Sequence, residues 1–87
     1  MDRGTAEQIA SKVLNVTKAG VSGHCRELED DAGYYFWDPR RGGSAVIVAV
    51  DGSLLWANSG VRPDEHIASF LAGKRTDRSL FTDLASE

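Results

Sequence analysis

Apolar residues recur at helical spacing near the start of the chain. Ile9, Val13 and Val16 form one stripe, with Ala6 and Ala10 beside them, the pattern of a helix with one buried face. Thr5 opens this stretch, and its hydroxyl and the Gln8 side chain fit a capping box. Gly20 suits the left-handed position just past a helix, where Val21 returns onto Val16 in a Schellman ending. The pattern therefore predicts one helix over residues 5–19.

The periodicity then shortens. Residues 24–29 read as a weak, charge-rich strand, which suits a sheet edge. Residues 30–33, Asp-Asp-Ala-Gly, form a turn. Tyr34, Tyr35, Phe36 and Trp37 make a strongly β-prone run, broken by residues 38–43. Residues 45–50 are a second apolar run. Asp51-Gly52 is the pair preferred in two-residue hairpin turns, and residues 53–58 return from it. Pro63, Asp64 and Glu65 open a second helix, Ile67, Phe70 and Leu71 give its buried stripe, and Gly73 stops it with Lys74 and Arg75 beyond. The tail, 77–87, carries Leu80, Phe81 and Leu84 and has the makings of a short helix.

A two-residue turn at Asp51-Gly52 sets Val50 opposite Ser53, Val48 opposite Leu55 and Ile47 opposite Trp56. One face then carries Ile47, Ala49, Leu54 and Trp56, and the other Val46, Val48, Val50, Leu55 and Ala57. Tyr34 and Phe36 likewise oppose Tyr35 and Trp37. Neither face is polar, whereas an antiparallel sheet with one wet face alternates. The expected fold is a single α+β domain over 1–87: two layers, a four-stranded antiparallel meander packed with an N-terminal and a C-terminal helix on one side. The other side is left to the tail or to a second protein chain, identical or different.

Composition narrows the class. The 87 residues are 41% apolar and 26% charged, near the average for a globular domain, and the length leaves no room for a second one. Ten Lys and Arg against thirteen Asp and Glu give a net charge of −3, which argues against binding nucleic-acid phosphates. The apolar runs are too short for a membrane span. The lone Cys25 excludes an intrachain disulfide and, with an N-terminus unlike a signal peptide, points to a reducing, cytoplasmic setting. Arginine outnumbers lysine seven to three, a bacterial-looking usage.

Chemical motifs are sparse. His24 and Cys25 are neighbours on a strand and point to opposite faces, so they make no dyad. Cys25 with His66 across the fold is the only arrangement for a thiol nucleophile and base; a buried thiol and a surface histidine are the plainer reading. His24, Cys25, His66 and Asp30 or Asp31 have no metal-ligand spacing. Arg40-Arg41-Gly42-Gly43 reads either as an anion-binding loop or as a solvated hairpin loop. Lys74, Arg75 and Arg78 complement a helix end. The aromatic strand invites comparison with base-stacking RNA platforms, but the element order and the acidity of the chain oppose it. No catalytic residue, metal or cofactor is assigned.

The stretch Gly33-Tyr34-Tyr35-Phe36-Trp37, the run at 45–50, the Asp51-Gly52 turn and the helix opened by Pro63-Asp64-Glu65 together resemble small bacterial immunity proteins of polymorphic toxin systems, over about half the chain. The resemblance implies a protein that binds and blocks a partner. The expected activity is a non-enzymatic interaction module or homodimer, acting through Tyr35, Trp37, Arg40, Arg41, Val46, Val48 and Leu55. A small-ligand or anion site between sheet and tail is the alternative.

Overall fold

The structure, a computed structural model, describes residues 3–14, 16–29, 32–38, 43–58 and 60–76. Its elements are α1 (Arg3–Leu14), α2 (Lys18–Ser22), β1 (Cys25–Glu27), β2 (Gly33–Trp37), β3 (Ala45–Ala49), β4 (Leu54–Ala57) and α3 (Pro63–Leu71). The strands form one antiparallel meander in the order β1-β2-β3-β4. This is the α+β fold with terminal helices that the sequence pattern implies. Among the described residues no helix is long and apolar enough to cross a membrane.

The first helical stretch differs from the expected one. The helix begins at Arg3, so Thr5 lies within it and does not cap it. Arg3 explains the earlier start: its guanidinium donates to the Ser22 carbonyl at 2.8 Å and sits 3.8 Å from the Glu7 carboxylate, tying the first turn down. The stretch also breaks before residue 19. The Val16 amide reaches back to the Ser11 carbonyl, a wide turn, and Thr17 starts a new helix by accepting from the Gly20 amide through its hydroxyl. Gly20 is therefore inside α2, not past the end of α1. The Schellman ending expected there occurs on α3, where Gly73 takes φ +99° and the Gly73 and Lys74 amides donate to the Phe70 and Ser69 carbonyls.

The β3–β4 register is also displaced by one residue. Val48 faces Leu54, Ile47 faces Leu55 and Val46 faces Trp56. The loop holds three residues, 50–52. The Gly52 amide donates to the Ala49 carbonyl, Gly52 sits at φ +91°, and the Ala49 amide closes the ladder on Ser53. That is a tight turn ending in a left-handed glycine, the three-residue hairpin alternative. The Asp51 carboxylate accepts from the Ser53 amide and hydroxyl at 2.9 and 2.6 Å, which fixes the turn.

A one-residue displacement exchanges the faces of β4 relative to β3. Phe36, Val46, Val48 and Leu54 now share one face, where Ala6, Ile9, Ala10 and Leu14 of α1 and Val21 of α2 cover them. Tyr35, Ile47, Ala49 and Leu55 share the other, where Phe70 and Ile67 of α3 pack. The helices thus lie on opposite sides, giving three layers in place of the expected two. Both faces are apolar because both carry a helix. The missing lid is α3, and neither the tail nor a second chain is required to supply it. The tail and residues 39–42 lie outside the described residues.

Candidate functional site

Among the described residues, the face under α3 is not fully roofed. Alternation along β2 points Tyr35 and Trp37 to this side, where β1 adds Arg26 and the residue before β1, His24, meets Trp37. Cross-strand pairing sets Trp37 beside Ala45 and Ala45 beside Ala57. One large ring followed by two methyl groups leaves the sheet low at this end. A cleft of about 430 Å³ opens there, with Tyr35, Trp37 and Ala45 on its floor, Pro63 and Ile67 of α3 as one wall, and Val61, Asn58, Ser44 and Asp38 around its mouth. Two further depressions share Arg26 and Ile67 with it and run along α3 to Leu28, Ala32 and Leu71. The result is a groove between β1 and α3.

The rings of the floor are held in place. Tyr35 and Trp37 lie 5.8 Å apart at a tilt, and His24 meets Trp37 edge-on at 5.6 Å. His24 is itself oriented by donation from Nδ1 to the Gly20 carbonyl at 2.9 Å, and its carbonyl accepts from the Trp37 amide. Tyr35 is buried, and burial pushes its hydroxyl pKa up. Its ring meets His66 of α3 edge-on at 5.6 Å. His66 donates from Nε2 to the Leu55 carbonyl at 2.7 Å, and desolvation holds its pKa below the usual imidazole value.

The rim is polar and apolar by turns. Arg26 is exposed at the middle of the groove, and among the described residues no carboxylate pairs with it. Arg62 and Asp64 sit 3.6 Å apart beyond the α3 wall, an exposed pair worth little stability. Leu71, 63% exposed, and Val61, 39% exposed, mark the two ends.

Of the expected partner-binding residues, Tyr35 and Trp37 form the cleft floor and Leu55 packs beside them under α3. Val46 and Val48 are corrected: both are fully buried beneath α1 on the opposite side, because the register places them there. Arg40 and Arg41 lie outside the described residues. The sequence reading missed Arg26, Pro63 and Ile67. Their signal was the side of the sheet taken by α3, which spacing within the helix does not encode.

Cys25 packs against the α1 cluster while His66 lies under α3, so the sheet separates them and no thiol–imidazole dyad is assembled. Burial, more than the nearby Glu7 and Glu27, raises the thiol pKa against the opposing pull of Arg3, leaving Cys25 protonated at neutral pH. Among the described residues no three His, Cys, Asp or Glu side chains gather as metal ligands. Arg75, expected only to complement a helix end, is a staple: it donates to the Phe70 and Lys74 carbonyls and the Ser53 hydroxyl, and its guanidinium lies 4.0 Å from the centre of the Phe70 ring. Comparison with protein-family models, curated proteins and solved structures finds no match.

Proposed function

We propose that this chain is a non-enzymatic binding module whose working surface is the cleft over Tyr35 and Trp37, and that its occupant is an apolar or aromatic anchor residue of another protein. The observation that carries the reading is an aromatic floor that no described residue roofs, walled by Pro63 and Ile67 and continued as a groove past Arg26 to Leu71. An apolar centre with a charged rim is the anatomy of a protein interface. Fixed aromatic rings at its centre supply anchor contacts at low entropic cost. The groove is longer than the cleft itself, which favours a chain over a compact ligand. In the narrower form implied by the immunity-protein resemblance, the partner is a bacterial toxin that the module blocks in the cytoplasm. Self-association through a sheet face is the weaker form, since each face already carries a helix.

The test is crosslinking capture from the source cells with wild type, Trp37→Ala, Ile67→Asp and Val50→Ser. A partner held by wild type and Val50→Ser and lost from both cleft variants supports the reading. A partner retained by Trp37→Ala and Ile67→Asp overturns it.

The second reading is a small-ligand site with α3 as one wall. The cleft volume of about 430 Å³ lies within the range typical of such sites, roughly 300–1,000 Å³. A small molecule retained in native mass spectrometry by wild type and lost from Trp37→Ala would select it.

A further inference from the structure

We infer that His66 is a proton-sensitive latch that holds α3 on the sheet and, with it, the wall of the cleft. α3 is thinly anchored. Of its nine residues only His66 and Phe70 are buried, Ile67 is half-buried, and Pro63, Asp64, Glu65, Ala68 and Leu71 lie in solvent. Phe70 contributes apolar burial. His66, 2% exposed, contributes a hydrogen bond between helix and sheet, from Nε2 to the Leu55 carbonyl.

That bond fixes the tautomer. With the proton on Nε2, Nδ1 is the lone-pair nitrogen, and it is buried without a hydrogen-bond partner. A second proton has to go on Nδ1. It turns an unpartnered acceptor into an unpartnered donor on a buried cation, and both changes are costly. Among the described residues, no anion is in hydrogen-bond or ring contact with the imidazole to offset them, and Asp38 and Glu29 only line the groove. β2 presents the edge of the Tyr35 ring, which is neutral, and β4 presents the Leu55 carbonyl, which Nε2 already uses. From α3 itself Asp64 and Glu65 are exposed, as is Arg62 before it. Across the groove β1 offers Arg26, a second positive charge. Glu7 is on the far side of the sheet, with α1.

The sign follows. Desolvation lowers the imidazole pKa of the docked helix below 6.5, against a smaller opposing effect of the Leu55 hydrogen bond. An undocked helix takes up the proton near 6.5. Docking is at full strength above that pH and weakens below it, about tenfold per pH unit, until the docked imidazole itself titrates. Since Pro63 and Ile67 are the cleft wall, acidification dismantles the cleft. On the binding reading above, it releases the occupant; the latch itself does not depend on that reading.

Hydrogen exchange on the free protein between pH 7.5 and 5, corrected for intrinsic rates, tests the latch without any partner. The expected result is that α3 amides lose protection about tenfold per pH unit below 6.5 while α1 amides do not, and that His66→Gln, which keeps an N–H for Leu55 and cannot titrate, abolishes the slope. Equal slopes in α1 and α3, a flat α3 profile, or an unchanged slope in His66→Gln would overturn it. Should His66→Gln fail to fold, an NMR titration of the wild-type imidazole decides: protonation well below 6.5 upholds the latch, and protonation at or above 6.5 overturns it.

Discussion

Phe36 and Trp37 are adjacent and share a strand, yet their fates differ completely. Phe36 is fully buried under α1, and Trp37 is half-buried on the cleft floor. Phe36→Ala should therefore cost about 3–5 kcal/mol, in line with other buried Phe truncations. Trp37→Ala should cost about 1–2 kcal/mol, because less of the ring leaves water on folding. Urea titration of the two variants checks the contrast; equal losses would mean that the cleft floor is core. The opposition of the two rings was legible from strand alternation alone. Gly33 makes the complementary case. It lies at φ +154°, and a Cβ there would collide with the Val48 carbonyl oxygen on the neighbouring strand. Gly33→Ala should destabilise by about 2 kcal/mol or more, by the same titration. The sequence placed Gly33 in a turn, a site where glycine is ordinary. Its structural demand comes from β3, which local sequence does not reveal.

At the scale of elements, the strands and α3 were readable because each has one dominant signal: β-prone runs bounded by breakers, or a Pro-acid start and a glycine stop. Two of the errors fell where two local solutions compete. Asp51-Gly52 fits a two-residue turn or the end of a three-residue one. Asp51 bonding to Ser53, and Ser53 in turn held by Arg75, select the longer loop. The apolar Val50, 47% exposed at the loop, looked like strand. The helical stretch was similar: its periodicity runs through Val16, but the Thr17 hydroxyl captures the Gly20 amide and restarts the helix. Thr17→Ala removes that cap and should cost about 1 kcal/mol, read from thermal unfolding. Gly20→Ala should bring no helical gain, since its Cβ would fall 2.6 Å from Val16 Cγ1 and 3.2 Å from the Thr17 hydroxyl. A stabilised Gly20→Ala protein would show that this junction yields readily.

For the whole molecule, the sequence conveyed that both sheet faces are apolar but not how they are covered, because the connection from β4 to α3 decides that. With α3 as the second cover, the cleft is the open part of its face among the described residues, and the interior contains an imidazole where a simpler core would have an apolar side chain. This makes stability pH-dependent in a defined order. His66 acts first. Its folded pKa is below 6.5, so its contribution is complete above that pH and declines as the unfolded chain gains a proton that the folded one refuses. The slope expected of one such group is about 1.4 kcal/mol per pH unit. Asp51 acts later. The Ser53 hydroxyl and amide hold its carboxyl below 3.8, so its contribution persists through the His66 region and is lost only as pH falls through the folded value. Urea titrations from pH 7.5 to about 2.5 should therefore show a first decline starting near 6.5, removed by His66→Gln and untouched by Asp51→Asn, and a second at the acid end with the opposite dependence. A first decline that survives His66→Gln would place the proton elsewhere, and α3 would then be held by Phe70 and the Arg75 staple rather than by the imidazole.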